Sequence, residues 1–91
     1  MPVTVRIPPN MRRLVGGQAE IEVEATTVIE ALTQVSLGHA ALNERLLDDE
    51  GGLAKGLNIF VNKDSIRRLD GVSTSVQDGD RIIVLLAMAG G

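Results

Sequence analysis

The sequence predicts an α+β domain: one sheet, covered on one side by a single main helix. Three observations predict it. Val3, Val5 and Ile7 alternate with Thr4 and Arg6, and Leu57, Ile59 and Val61 alternate with Asn58 and Phe60; a period of two marks half-buried strands. Between them, Val28, Ile29, Leu32 and Val35 fall at helical spacing, with Ala31 beside them. The chain has 91 residues, too few for a second independent core.

The first strand stops at Pro8-Pro9, because proline donates no hydrogen bond to a ladder. Arg12 and Arg13 sit in the connection as an exposed loop pair, and Gly16-Gly17 closes it. Ile21 and Val23 then alternate with Glu20, Glu22 and Glu24, so the first two strands read as a hairpin with an acidic, solvated row on the second. Thr27 followed by Glu30 is the capping-box pattern, which satisfies backbone N–H groups at a helix start. Gly38 is the expected stop, giving a helix about 16 Å long. A short second helix is expected over Ala40 to Leu47, with Leu42, Leu46 and Leu47 on one side. Asp48 to Gly52 form a loop, and Leu57 to Val61 the third strand. Ser65 to Leu69 is read as a short strand carrying Arg67 and Arg68. Asp78-Gly79-Asp80 is the strongest turn, since glycine accepts positive φ and aspartate bonds nearby backbone. Arg81 to Leu86 is the last strand. Arg81 places Ile83 and Leu85 on its own outer face and Ile82, Val84 and Leu86 on the core face.

Composition excludes several classes of function. Phe60 is the single aromatic residue, so the core is built from Val, Ile, Leu and Ala. Cysteine is absent, which excludes disulfides, thiolate metal sites, iron–sulfur clusters and a cysteine nucleophile. Nine basic residues face twelve acidic ones, net −3, with no polybasic block; without stacking aromatics this argues against nucleic acid. The longest apolar run, Ile82 to Ala89, is too short for a bilayer. The N-terminus has no signal-peptide pattern, so a cytoplasmic protein is expected. His39 is the only histidine and is expected to make local hydrogen bonds. Asp78 and Asp80 read as turn residues, so no metal site is expected.

Two features point to function. The first is the end of the chain, Ala87-Met88-Ala89-Gly90-Gly91, a short tail of small apolar residues directly after a strand. It is expected to form a flexible segment, 87–91, beyond the folded domain, residues 1–86. Fully extended, it reaches roughly 17 Å beyond the sheet. Gly90 and Gly91 lack Cβ atoms and can enter a channel too narrow for other residues. The second is the outer sheet face. If the third and last strands are neighbours, Phe60, Ile83 and Leu85 form an exposed apolar patch rimmed by Arg6 and Arg81. No second long amphipathic helix is available to cover it, and such patches mark partner sites.

The element order, the Asp78-Gly79-Asp80 turn, the strand after it and the terminal Ala89-Gly90-Gly91 resemble the ubiquitin-like sulfur carriers of the ThiS/MoaD family, over essentially the whole chain. The stretch from Asn58-Ile59-Phe60-Val61-Asn62 to Met88-Ala89-Gly90-Gly91 is most similar to the longer, MoaD-like branch that includes cysteine-biosynthesis carriers; the shorter thiamine carriers lack the insert around Asn43 to Gly56. Proline, frequent in the family near Leu86 or Ala87, is missing here. The resemblance implies a β-grasp fold with adjacent first and last strands. It implies a carrier, not an enzyme, whose Gly91 carboxylate is adenylated by an E1-like adenylyltransferase/sulfurtransferase using ATP and Mg²⁺, then converted to a thiocarboxylate. Gly90, Ala89, Met88 and the sheet patch would dock on partners. No cofactor is bound stably. The implied acceptor is a PLP-dependent cysteine synthase, followed by a JAMM metalloprotease, or the large subunit of molybdopterin synthase. Two other readings stay open: a modifier conjugated to lysines through Gly91, and a plain interaction module indifferent to loss of Gly90-Gly91.

Overall fold

The computed structural model describes residues 2–86. It contains a five-stranded mixed sheet made of β1 (Val3–Arg6), β2 (Glu20–Val23), β3 (Leu57–Val61), β4 (Asp64–Ser65) and β5 (Arg81–Leu86), in the order β2-β1-β5-β3-β4. The helices are α1 (Val28–Gly38) and α2 (Asn43–Leu46). β1 and β5 are parallel; the other three pairings are antiparallel. Parallel neighbours need a long crossover, and everything between β1 and β5, α1 included, supplies it. This is the β-grasp arrangement, with the first and last strands side by side.

The alternation in the sequence decides which residues are buried. Val3, Val5, Ile59, Ile82 and Val84 from the sheet meet Val28, Ala31, Leu32 and Val35 from α1, and none is more than 1% exposed. Leu42 and Leu46 of the second helical segment are fully buried in the same core. Each apolar side chain of this size contributes about 1.5–3 kcal/mol when removed from water.

Local chemistry starts α1 as expected. The Thr27 hydroxyl accepts from the Glu30 N–H at 3.2 Å. The Glu30 carboxylate reaches one residue further back than a standard capping box, accepting from the Thr26 N–H at 2.7 Å. At the Asp78-Gly79-Asp80 turn, Gly79 takes φ +88°. Asp80 accepts from the Gln77 N–H at 2.8 Å, and its carbonyl accepts from the Thr4 N–H at 3.0 Å. The turn is thereby tied to the start of β1.

Several expectations are corrected. The β1–β2 connection is a 3-10 helix, Pro9–Val15, which buries Met11 and Val15. Apolar residues in that loop give it a core contact, so it folds instead of spanning the gap as a plain hairpin loop. Arg12 is not an exposed loop residue: it is half-buried, and its Nε donates to the Ile7 carbonyl at 2.9 Å. Gly38 is the expected stop: it is the last residue of α1, and His39 follows outside the helix. The segment Ala40–Leu42 is 3-10 and only Asn43–Leu46 is α-helical. Ser65 to Leu69 is not a strand. Pairing stops at Ser65, whose hydroxyl accepts from the Arg67 N–H and turns Ile66–Arg68 into a 3-10 segment, with Ile66 buried. Leu86 is 38% exposed, because the core gives out at Val84 and Leu86 lies at the rim of the sheet.

Candidate functional site

The candidate site is the sheet face opposite the core. Strand registry builds it row by row. Glu20 pairs with Arg6, Arg6 with Ile83, and Ile83 with Phe60. Because side chains alternate along a strand, these four point to the outer face in one line across β2, β1, β5 and β3. Two residues along, Leu85 pairs with Asn58, and on the other side Thr4 pairs with Arg81. Phe60, Ile83, Leu85, Arg6 and Arg81 are thus brought together as expected.

The patch is less open at its centre than at its end. Phe60 and Ile83 are half-buried by their neighbours, whereas Leu85 is 44% exposed. Leu86, at the rim of the opposite face, is also exposed, so the end of β5 presents apolar surface on both sides. Met88, Ala89, Gly90 and Gly91, the remaining predicted site residues, lie outside the described residues.

The charged rim holds a feature that sequence reasoning missed. One carboxylate oxygen of Glu20, Oε2, faces both arginines: Arg6 Nη1 at 3.5 Å and Arg81 Nη2, which donates a hydrogen bond to it. All three side chains remain 38–48% exposed. Glu20 is therefore more than a solvated member of the acidic row. The signal was present in the Arg6–Glu20 opposition, but a connection of thirteen residues between the strands hides the register.

Other candidates are placed elsewhere. His39 is half-buried after α1; its N–H donates to the Val35 carbonyl at 2.9 Å, and its carbonyl accepts from Leu42 at 2.9 Å. A shallow hollow in the insert is lined by Asn43, Glu44, Leu47, Asp48, Asp49, Ala54 and Lys55. Asp48 there closes its own loop, accepting from the Glu50 and Gly52 N–H groups. Among the described residues, no group of three or more His, Cys, Asp or Glu side chains could hold a metal ion. No helix among them is long and apolar enough to cross a membrane. The site has the chemistry of a docking surface: apolar at the centre, cationic at one rim and continuous with the strand that carries the tail.

Comparison with known proteins agrees with this geometry. The ThiS family profile matches residues 5–91. The sulfur carrier protein CysO of Mycobacterium tuberculosis is 34% identical over 93 aligned positions covering the whole of both chains. Among solved structures, a chain of the BexX/CysO complex of Amycolatopsis orientalis is 37% identical, with a TM-score of 0.87 over 98% of this chain and 99% of that one. The small archaeal modifier protein 1 of Methanosarcina acetivorans is 29% identical, with a TM-score of 0.86 over 99% and 96%.

Proposed function

The chain belongs to the ThiS family, and on that premise we propose that it is a sulfur carrier that works through the carboxylate of Gly91. The observation that carries this reading is the full-length match to sulfur carrier proteins, 34% identical from end to end. The apolar face that runs to Leu85 near the end of β5 supports it, because a carrier must dock on each enzyme it serves.

The chemistry explains why partners are needed. A carboxylate is charged and resonance-stabilised, so it resists nucleophiles. An E1-like enzyme using ATP and Mg²⁺ would let a Gly91 oxygen attack the α-phosphorus and expel pyrophosphate. The resulting acyl adenylate carries AMP as a good leaving group. Sulfide then attacks the acyl carbon, the C–O bond to AMP breaks, and a thiocarboxylate remains. The carrier supplies the acyl carbon, the reach and the docking face; the ATP site lies on the enzyme. The thiocarboxylate sulfur is a soft nucleophile, suited to an activated serine on a PLP-dependent cysteine synthase. Hydrolysis by a JAMM-type metalloprotease would then free the amino acid from the carrier. We place the protein in the cytoplasm with those enzymes.

A second reading has its own support. The likeness to a small archaeal modifier protein favours conjugation of Gly91 to lysines of other proteins. Co-expression with the E1-like enzyme tests both. Intact mass showing one oxygen replaced by sulfur supports the carrier. Higher-mass conjugates without that species support the modifier. An unchanged mass with no conjugates overturns both.

A further inference from the structure

The Glu20 cluster suggests a role beyond that of a surface ion pair, resting on the docking reading above. We infer that Glu20 is a positioning residue: it fixes the guanidiniums of Arg6 and Arg81 at the rim of the Phe60–Ile83 contact, where they receive a carboxylate of the activating enzyme.

The order of charges across the sheet is the first ground. The acids, Glu20 and Glu22, lie on the edge strand β2, whereas the arginines lie inward on β1 and β5, next to Ile83. A surface that covers Phe60, Ile83 and Leu85 therefore meets the arginines before it meets the acids.

Hydrogen-bond capacity is the second. A guanidinium has five N–H donors, and Glu20 contacts each arginine through a single nitrogen. Neither Arg6 nor Arg81 meets another side-chain acceptor among the described residues. At 45% and 48% exposure, both side chains are open to water. Docking strips that water, and unpaired donors in a dry contact are costly. The partner must supply acceptors there, and a carboxylate matches two adjacent guanidiniums in both charge and fork geometry.

Glu20 makes this arrangement specific. An unpaired arginine samples many rotamers and can lie across an apolar neighbour. One oxygen shared by two guanidiniums limits both, so less freedom is lost when the partner binds.

The test is the affinity of the full-length chain for its purified E1-like enzyme, measured by titration at two salt concentrations. Arg81→Gln and Arg6→Gln are each expected to weaken binding about fivefold at low salt and to reduce its salt dependence. Glu20→Gln is expected to weaken binding by a smaller factor, and to add nothing in an Arg6→Gln/Arg81→Gln background. Thermal melts check that each variant folds; Arg81→Lys, which keeps the charge and loses the fork, replaces any that does not and should also bind more weakly. Additive effects of Glu20→Gln in that background overturn the positioning role. Salt-insensitive binding overturns the carboxylate. If the unmodified chain neither binds the enzyme nor gains sulfur, the carrier reading itself fails; if it binds and the arginine variants bind equally, only this inference fails.

Discussion

Asn62 and Arg81 are joined by two hydrogen bonds that run in opposite senses. The Asn62 backbone N–H donates to the Arg81 carbonyl at 2.8 Å, and the Arg81 N–H donates to the Asn62 side-chain oxygen at 3.1 Å. The Asn62 amide also donates to Asp80 at 3.2 Å. Asn62 is the one non-glycine residue with positive φ among those described, at 57°, a conformation asparagine tolerates better than most. This single side chain fastens the end of β3 to the start of β5.

Asn62→Ala should therefore destabilise the domain by about 1–3 kcal/mol, through lost hydrogen bonds and a left-handed backbone that alanine resists. Asn62→Gly removes the same bonds but relaxes the backbone, so it should cost less. Urea denaturation ranks the two; alanine equal to or better than glycine would contradict this account.

The start of α1 depends on its cap. Thr27→Ala is expected to cost about 1 kcal/mol. Thr27→Ser should recover most of it, since the hydroxyl that accepts from Glu30 is kept. Melting curves that fail to separate the two substitutions would argue against the cap.

The insert contributes to the core. Leu46 is fully buried, so Leu46→Ala should cost about 2–5 kcal/mol, as other large-to-small core changes do. A loss well under 1 kcal/mol by chemical denaturation would mean that the insert packs independently of the sheet.

The outer face should separate binding from stability. Leu85 is 44% exposed, so Leu85→Asp should leave the melting temperature nearly unchanged, while slowing thiocarboxylate formation at least about tenfold if the face docks on the activating enzyme. Initial rates by mass spectrometry provide the measurement, and an unchanged rate would remove Leu85 from the docking surface.

Removal of Gly90 and Gly91 should abolish sulfur loading while leaving the melt of the domain intact. Loading that persists in the truncated chain would place the chemistry elsewhere.

Much of this was legible because period-two alternation is a strong signal. It located β1, β2 and β3, and the charge of Arg81 set the faces of β5, so Phe60 and Ile83 were read onto one outer face, where the structure pairs them. The helix start was legible from Thr27 and Glu30. What escaped has physical reasons. The 3-10 turns at Pro9–Val15 and Ile66–Arg68 are short and owe their shape to burial of Met11, Val15 and Ile66, which no local pattern announces. Glu20 read as one of three equivalent glutamates; only strand registry singles it out. Leu86 followed the alternation of its strand, but alternation says nothing about where a core ends.

The parallel pairing of β1 and β5 has a mechanical consequence. β5 is hydrogen-bonded along both sides, to β1 and β3, and the chain beyond Leu86 continues from its end. A pull on that end acts along the strand, so it loads the bonds to both neighbours in shear, many at once, instead of opening them one by one. On the proposed reading, the domain would stay a fixed grip while an enzyme handles the end of the chain.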